Sequence, residues 1–352
     1  MVNTARFKTS NTTQLTSIDV EIRKATAPLE TESAWEVESL LLKILEYGDY
    51  SFHSALLGEY SRTLNCTFFL AKHKGNLVGA AGCLYSHKNP AVAIIGPVGV
   101  AAEYRLNGIG RKLVTTIIEH LRGRYCMAVY LGVSAGTPAT YLYSSLGFKR
   151  YKGIVMRLLL CPEEEFTNTY FGKCPDVEVR RAAWGDFPGI QALATFPCQM
   201  YTCDFRRGVF SSKYIEPIRF LPVFPDMMRT FGRSGGLANV LVSGGKENIV
   251  GIAHMSRLPG EAQRHIAELD FYVHDNFVDQ TERLVRTTIE GSRDLSINRI
   301  NCYCLDCDHL KRNIIDRLGG RQVAVLPGNI FVSGKYEDVL VYQFGERIYA
   351  KG

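Results

Sequence analysis

The chain reads as an α/β protein made of two tandem copies of one unit, each a mixed, mostly antiparallel sheet flanked by helices. Three observations predict this. At 352 residues, 46% hydrophobic and 22% charged, it has the composition of an ordinary globular protein and the length of two domains. Strand-type and helix-type periodicities alternate through its first half. The same order of elements then recurs at a nearly constant offset. Val177-Glu178-Val179-Arg180-Arg181-Ala182 echoes Val20-Glu21-Ile22-Arg23-Lys24-Ala25 at 157 residues, while Ile249-Val250-Gly251 echoes Leu77-Val78-Gly79 and Leu318-Gly319 echoes Leu146-Gly147, both at 172.

In chain order, residues 1–17 are polar, rich in Thr, Ser and Asn, and lack the apolar centre of a secretory signal, so they read as a flexible leader. Val20 to Ala25 alternates as a first strand. Trp35, Leu40, Leu41, Ile44 and Leu45 recur at helical spacing within 32–47, and 53–64 reads as a second helix. Residues 67–71 and 77–85 are β-rich and flank the turn Lys74-Gly75-Asn76. The apolar run 91–100 reads as a buried strand; a glycine-punctuated basic turn follows it, then an amphipathic helix through Leu121. Residues 128–133 are a further strand. Thr137-Pro138 opens the next helix with a hydroxyl cap and a proline at its first position. A strand over 148–159 closes the unit. Residues 18–160 make the first domain, 161–176 a linker, and 177–352 the second. The rise in offset from 157 to 172 places an insertion in the second copy around 196–236, a stretch rich in Pro, Phe and Met.

Composition removes several classes. No apolar run approaches the roughly 20 residues of a membrane-spanning helix. The 10 cysteines are scattered over predicted strands and helices, which suits a reducing cytoplasm and not a disulfide scaffold. A net charge of +6 is compatible with an anionic cofactor and too dispersed for nucleic acid. Cys302, Cys304, Cys307 and His309 have soft-metal chemistry. Cys302 and Cys304 nevertheless alternate on a predicted buried strand, and no second cysteine pair completes a site, so no metal is expected. His265 to Asp270 alternates as a half-solvated strand.

The turn after the 91–100 strand carries the chemistry. Gly108 and Gly110 remove side chains where the chain enters a helix, and the first turn of that helix offers N–H groups with no internal partner. With the helix dipole and the charges of Arg105, Arg111 and Lys112, these form a pyrophosphate cradle. Arg105-x-x-Gly108-x-Gly110 after a strand ending in Val100 resembles the acyl-CoA motif of the GNAT superfamily of N-acyltransferases. Ala139-Thr140-Tyr141-Leu142-Tyr143-Ser144-Ser145-Leu146-Gly147-Phe148 resembles a second segment of the same family. The two stand in the family's order, with a helix and a strand between them.

The resemblance implies a GNAT-like fold for both copies and an acyl-CoA donor, acetyl-CoA first, bound by Val98, Val100, Arg105, Leu106, Asn107, Gly108, Ile109, Gly110 and Arg111. It implies that Tyr143 protonates the departing thiolate, with Tyr141 as the weaker candidate. A phenol of pKa near 10 suits a thiolate whose acid lies near 8.5. The other reading of Tyr143 is a core aromatic. An oxyanion would meet a main-chain N–H near Val98 to Val100. Gly136 stands where the family often has Asn. The 91–100 strand holds no acid or histidine, so the general base is sought among Asp49, His53 and Glu59, with Glu59 taken as the catalytic candidate; a water chain to a remote acid is the alternative. Glu103 is expected to pair with Arg105.

In the second copy, stepping 173 residues from Arg105, Gly108 and Gly110 lands on Val278, Thr281 and Arg283. No glycine remains, so that copy is read as degenerate. It either walls the acceptor site through its insertion or only stabilises the first domain. The whole reads as a cytoplasmic acetyl-CoA-dependent N-acyltransferase acting on a small-molecule amine, without metal, nucleic acid or membrane, as a monomer or homodimer. A peptide or protein acceptor with a longer acyl donor, and a non-catalytic CoA-binding module, are the rivals.

Overall fold

The computed structural model describes residues 18–45, 52–152, 154–205, 209–211, 217–233, 235–332 and 334–345. The first unit runs β1 (Glu21–Thr26), α1 (Thr31–Leu45), α2 (Phe52–Leu56), β2 (Leu64–His73), β3 (Asn76–Ser86), β4 (Val92–Val100), α3 (Ile109–Arg122), β5 (Ala128–Gly132), α4 (Pro138–Ser145), β6 (Lys149–Lys152) and β7 (Val155–Leu159). After α5 (Glu163–Tyr170) come β8 (Val177–Arg181), α6 (Phe187–Thr195), β9 (Thr202–Asp204), β10 (Val209–Ser211) and α7 (Pro217–Gly232). The second unit continues with β11 (Gly236–Ser243), β12 (Asn248–Arg257), β13 (Ile266–Val273), α8 (Thr281–Glu290), β14 (Arg299–Leu305), α9 (His309–Arg317), β15 (Arg321–Val332) and β16 (Lys335–Phe344).

The two sheets have one topology. The first is ordered β1-β2-β3-β4-β5-β7-β6 and the second, from its other edge, β8-β11-β12-β13-β14-β16-β15. In each, one pair is parallel, β4 with β5 and β13 with β14, and the rest are antiparallel. A single hydrogen bond fixes the correspondence. Ala101 N–H donates to Val78 O in the first unit and His274 N–H to Val250 O in the second, each at 2.9 Å. Val100 and Val273 are therefore counterparts, 173 residues apart.

Four expectations change in detail. The strand foreseen over 148–159 is a hairpin, β6 and β7, with Lys152 opposite Val155. The second helix stops at Leu56, and turns carry the chain to Leu64. The 161–176 stretch contains α5, which buries Phe166 and Tyr170. The 196–236 insertion is β9, β10 and α7. The expected leader, 1–17, and Asp49 lie outside the described residues.

Packing follows strand alternation, since successive side chains point to opposite faces. On one face of the first sheet Ala93, Ile95, Val129 and Leu131 pack with Ile109, Leu113 and Val114 of α3 and Tyr143 of α4. On the other, α1 and α2 cover β2 and β3 through Val37, Leu41 and Leu56 on Phe68 and Leu70. The remainder of that face, Val92, Ile94, Ala128 and Tyr130, shares a continuous core with Ile190 and Leu193 of α6. The second unit thus completes the core of the first.

Candidate active site

β4 and β5 pair only at Val92–Ala128, Ala93–Val129 and Ile94–Tyr130, then separate. A bulge opposite Gly82 sets Ala81 against Val98 and Cys83 against Ile95. Because Ala101 N–H is turned toward β3, alternation turns the amides of Val98 and Val100 to the opposite edge, into the gap that the divergence of β5 opens.

At the far end of that gap stands α3. Its N-cap, Gly108, has φ 77° and gives the helix no side-chain cap. A left-handed residue is costly for anything but glycine, and a Cβ built here meets nothing within 4 Å, so space lies in front of the open first turn of a 14-residue helix. Lys112 N–H takes the Gly108 carbonyl at 3.0 Å, which leaves the preceding amides aimed outward. Arg105 is exposed and its Nε donates to Val100 O at 3.1 Å, tying the basic turn to the strand end. Asn107 Nδ2 donates to Arg105 O at 3.0 Å and braces the same turn. Leu106 holds φ 64° with an exposed side chain. Ile109 is buried against the sheet, and Gly110 lets α4 approach, with Leu142 Cδ2 3.4 Å from a built Cβ. Arg111 Nη2 donates to Ser145 Oγ at 2.8 Å. Lys112 is directed elsewhere: its Nζ donates to Val20 O at 2.6 Å. Glu103 and Arg105 do not form an ion pair among the described residues.

Thr137 caps α4 as expected, its Oγ1 accepting from Thr140 N–H at 3.4 Å with Pro138 behind it. Tyr143 lies on the buried face of α4, its ring edge-on to Phe148 at 5.8 Å between centroids. Val98 and Val100 border the same cluster. Burial pushes the Tyr143 phenol up to about 12. Tyr141, by contrast, is exposed. Glu59 is exposed on the turn after α2, where its N–H donates to Ser54 O at 3.0 Å. His53 sits with Nδ1 2.8 Å from Oε2 of the buried Glu38 and its ring 4.4 Å from that of Trp35. A buried carboxylate this close to an imidazole helps set the orientation of the ring.

The acetyltransferase (GNAT) family matches residues 34–148, which span α1 to the end of the α4 segment. The chain carries a GNAT acetyltransferase domain. It is 29% identical over 147 residues to the Xenopus tropicalis protein named "Probable N-acetyltransferase camello", covering 37% of this chain and 67% of that protein. It is 42% identical over 94 residues to the mycothiol acetyltransferase of Thermobispora bispora, covering 25% of this chain and 32% of that one. Among solved structures, a GNAT-family acetyltransferase from Streptococcus pneumoniae aligns with a TM-score of 0.40 and 12% identity over 48% of this chain and 99% of its own.

The second GNAT-like unit uses the same backbone for a different end. Phe271 corresponds to Val98 and Asp270 to Pro97 at the 173-residue offset. The Phe271 N–H is taken by Asp270 Oδ1 at 2.9 Å. Lys311, from the first turn of α9, is fully buried and ion-paired with that same carboxylate. It also donates to Phe271 O at 3.4 Å and to Tyr201 O at 2.9 Å. Cys203 N–H of β9 donates to Asp270 Oδ2 at 3.0 Å, and Tyr201 N–H to Asp308 Oδ2 at 2.8 Å. The groups that line an open gap in the GNAT domain are here bonded to the chain itself. Thr281 opens α8 without a glycine, and Arg283 donates to Val177 O at 3.3 Å. Cys302 and Cys304 are buried as alternation foresaw, and burial pushes the Cys302 thiol up to about 12.

The Lys311–Asp270 pair is absent from the sequence reading, although a signal existed. Lys311, Ile314, Ile315 and Leu318 form a single i, i+3, i+4, i+7 stripe, so a lysine stood on an apolar helix face. No local pattern marks Glu38 as the partner of His53, because α1 and α2 meet only in the fold.

Proposed function

We propose that the chain is an N-acetyltransferase that moves an acetyl group from acetyl-CoA to the primary amine of a small molecule, with all of the chemistry in the GNAT domain. The carrying observation is the alignment of the open α3 N-terminus behind Gly108 with the outward amides of Val98 and Val100 along one gap. An anionic pyrophosphate fits the first, through unpaired N–H groups and the positive helix end. An extended pantetheine arm fits the second, as an added strand would. The space in front of Gly108 supports the fit.

Acetyl-CoA supplies an activated thioester carbonyl. The amides at Val98 and Val100 donate to the carbonyl oxygen as its negative charge grows. Tyr143, across the gap on α4, gives its proton to the departing sulfur. Its raised pKa keeps the phenol protonated throughout the physiological range, the form an acid must have. Arg105 and Arg111 add charge to the cradle. For the base, Glu59 offers an exposed carboxylate and His53 an imidazole beside the buried Glu38. The second unit supplies no cofactor site, since Lys311, Asp270 and the Tyr201–Cys203 stretch engage the equivalent groups.

Thiol release from acetyl-CoA across a panel of amines and amino-terminal peptides tests the reading, with calorimetry of CoA alone. One CoA per chain, amine-dependent release, and loss of both in Gly108→Glu are expected, because that side chain fills and negatively charges the cradle. Two equivalent CoA sites would overturn the assignment to one domain. Release with peptides and with no small amine would transfer the acceptor class to peptides.

A further inference from the structure

The two seven-stranded sheets end in four edges, β1, β6, β8 and β15. A free edge invites association, and charged side chains are the usual guard against it. β1 carries Glu21, Arg23 and Lys24, and β8 carries Glu178, Arg180 and Arg181. β6 is only 4 residues long and carries Lys149, Arg150 and Lys152. β15 takes the place of β6 in the second unit, runs for 12 residues, and is followed by no charged residue from Arg321 until Lys335. Three edges are guarded by charge and the fourth is not.

The hairpin of β15 and β16 also has an open apolar face. Its other face is closed by the insertion, where Ile330 and Val339 cluster with Leu305 and with Cys203 of β9. On the open face Val325 stands opposite Leu340 and Phe331 opposite Tyr336. Leu340 belongs to the buried core. Val325, however, is 43% exposed, Phe331 63% and Tyr336 76%, and Val323 at the neighbouring bulge is 48% exposed. These are four of the nine exposed large hydrophobic side chains among the described residues; the other five are spread over α1, the cradle turn, the end of α3 and α4, so apolar surface is concentrated on this hairpin. The Phe331 and Tyr336 rings meet at 5.1 Å between centroids. Pro327 and the broken register between Leu326 and Ile330 interrupt the strand, so the hairpin offers side chains more than main-chain pairing.

We propose that this hairpin face is the contact between two copies of the chain, joined as a dimer about a two-fold axis. One such patch per chain closes on its own copy and leaves nothing for a third, as an isologous contact does. The rim suits a second copy. The charged residues of the hairpin are Arg321 and Lys335 against Glu337 and Asp338, so the patch has no net sign and two copies do not repel. The area agrees as well. The four exposed side chains present about 400 Å² per chain. With the exposed Gln322, Ala324, Pro327 and Asn329 around them, two copies reach the roughly 1,200 Å² at which specific interfaces begin. Neither the cofactor site nor the acceptor enters into this contact.

The test is the mass of the full chain in solution, by sedimentation equilibrium from about 1 to about 100 µM. The wild type is expected as a dimer. Val325→Lys combined with Phe331→Lys sets cations against their own copies across the two-fold axis, so each substitution acts twice. That variant is expected to weaken dimerisation by about a hundredfold or more while its circular dichroism stays that of the folded chain. Tyr336→Glu changes the most exposed of the four side chains, is the variant least able to disturb folding, and is expected to weaken the dimer about tenfold. Tyr125→Lys replaces an exposed tyrosine away from the hairpin and is expected to leave the dimer intact. A wild type that is monomeric at about 100 µM overturns the proposal. So does a dimer of wild-type strength in folded Tyr336→Glu, or one weakened as much by Tyr125→Lys.

Discussion

Two side chains separate chemistry from stability at the residue scale. Tyr143→Phe removes one hydroxyl and keeps the ring against Phe148. We predict that CoA affinity and melting temperature stay near wild type while kcat falls by about 10² to 10⁴, the usual worth of general acid catalysis. Since burial holds the phenol at about 12, it stays protonated up to about pH 10. The wild-type rate is therefore expected to rise with pH as the amine and base lose protons, with no alkaline fall from Tyr143. A mutant with wild-type kcat in steady-state assays returns this tyrosine to a packing role. His274 poses the opposite case. Stacked on Phe171 at 4.6 Å and accepting the Asn276 N–H at 3.2 Å, it has its pKa pushed down to about 4 by burial, which outweighs the nearby Asp275. An imidazole near 6.5 in the unfolded chain takes up a proton first as pH falls, so the unfolded state gains. Stability is complete above about pH 6.5 and declines toward pH 4, by no more than about 3 kcal/mol. His274→Phe should flatten that acid limb in pH-dependent melts, at a neutral-pH cost of about 1 kcal/mol for the lost hydrogen bond. An unchanged acid limb would assign the proton uptake to other groups.

Among the elements, strand β13 and helix α9 show how a second copy was closed. Lys311 is buried with Asp270 in a network that includes the Phe271 carbonyl and the Tyr201 carbonyl. Removing one member of a buried pair leaves a charge without compensation, at about 3 to 5 kcal/mol. Lys311→Met should therefore destabilise the chain by that order in urea melts. The double replacement Lys311→Met with Asp270→Leu should recover part of the loss, and CoA stoichiometry should remain one. If Lys311→Met melts as the wild type does, the pair is not what holds β9 on β13. How far this was legible depends on the range of the contact. α3, α4 and the β2–β3 hairpin follow from local signals: Gly108, Thr137-Pro138 and Lys74-Gly75-Asn76 each fix a boundary within a few residues. The offset of 172 to 173 exposed the second copy, and with it the loss of the glycines. The closure itself joins residues 201, 203, 270, 271, 308 and 311, and no periodicity links such distant positions. The partner of His53 escapes the sequence for the same reason, because the His53–Glu38 pair is made between two helices.

The whole molecule depends on the seam between the two units. Val92, Ile94, Ala128, Tyr130 and Val155 are each no more than 2% exposed, and they share a core with α6. Around that core the seam is pinned by polar contacts. Lys88 pairs with Glu247, which Arg180 holds at 2.8 Å while also gripping Asp186 with two bonds of 2.8 Å. Asn89 donates to Asn248 at 2.8 Å, and Gly185 N–H donates to Thr63 Oγ1 at 3.0 Å. The exposed Lys88 end of this chain of charges contributes little by itself; the apolar contact dominates the free energy. At Gly185 the two backbones approach closely, since a Cβ there would stand 2.5 Å from the Thr63 carbonyl. Gly185→Val should push the units apart and lower the stability of both together by about 2 kcal/mol or more, in one cooperative transition. A chain ending at Leu160 uncovers the five core residues at once, and an apolar patch of that kind drives association. It is expected to elute as aggregate in size-exclusion chromatography and to release no thiol from acetyl-CoA. A stable, monomeric, fully active fragment would mean that α6 covers a surface the GNAT domain can leave open, and the second unit would then have to be explained by the acceptor alone.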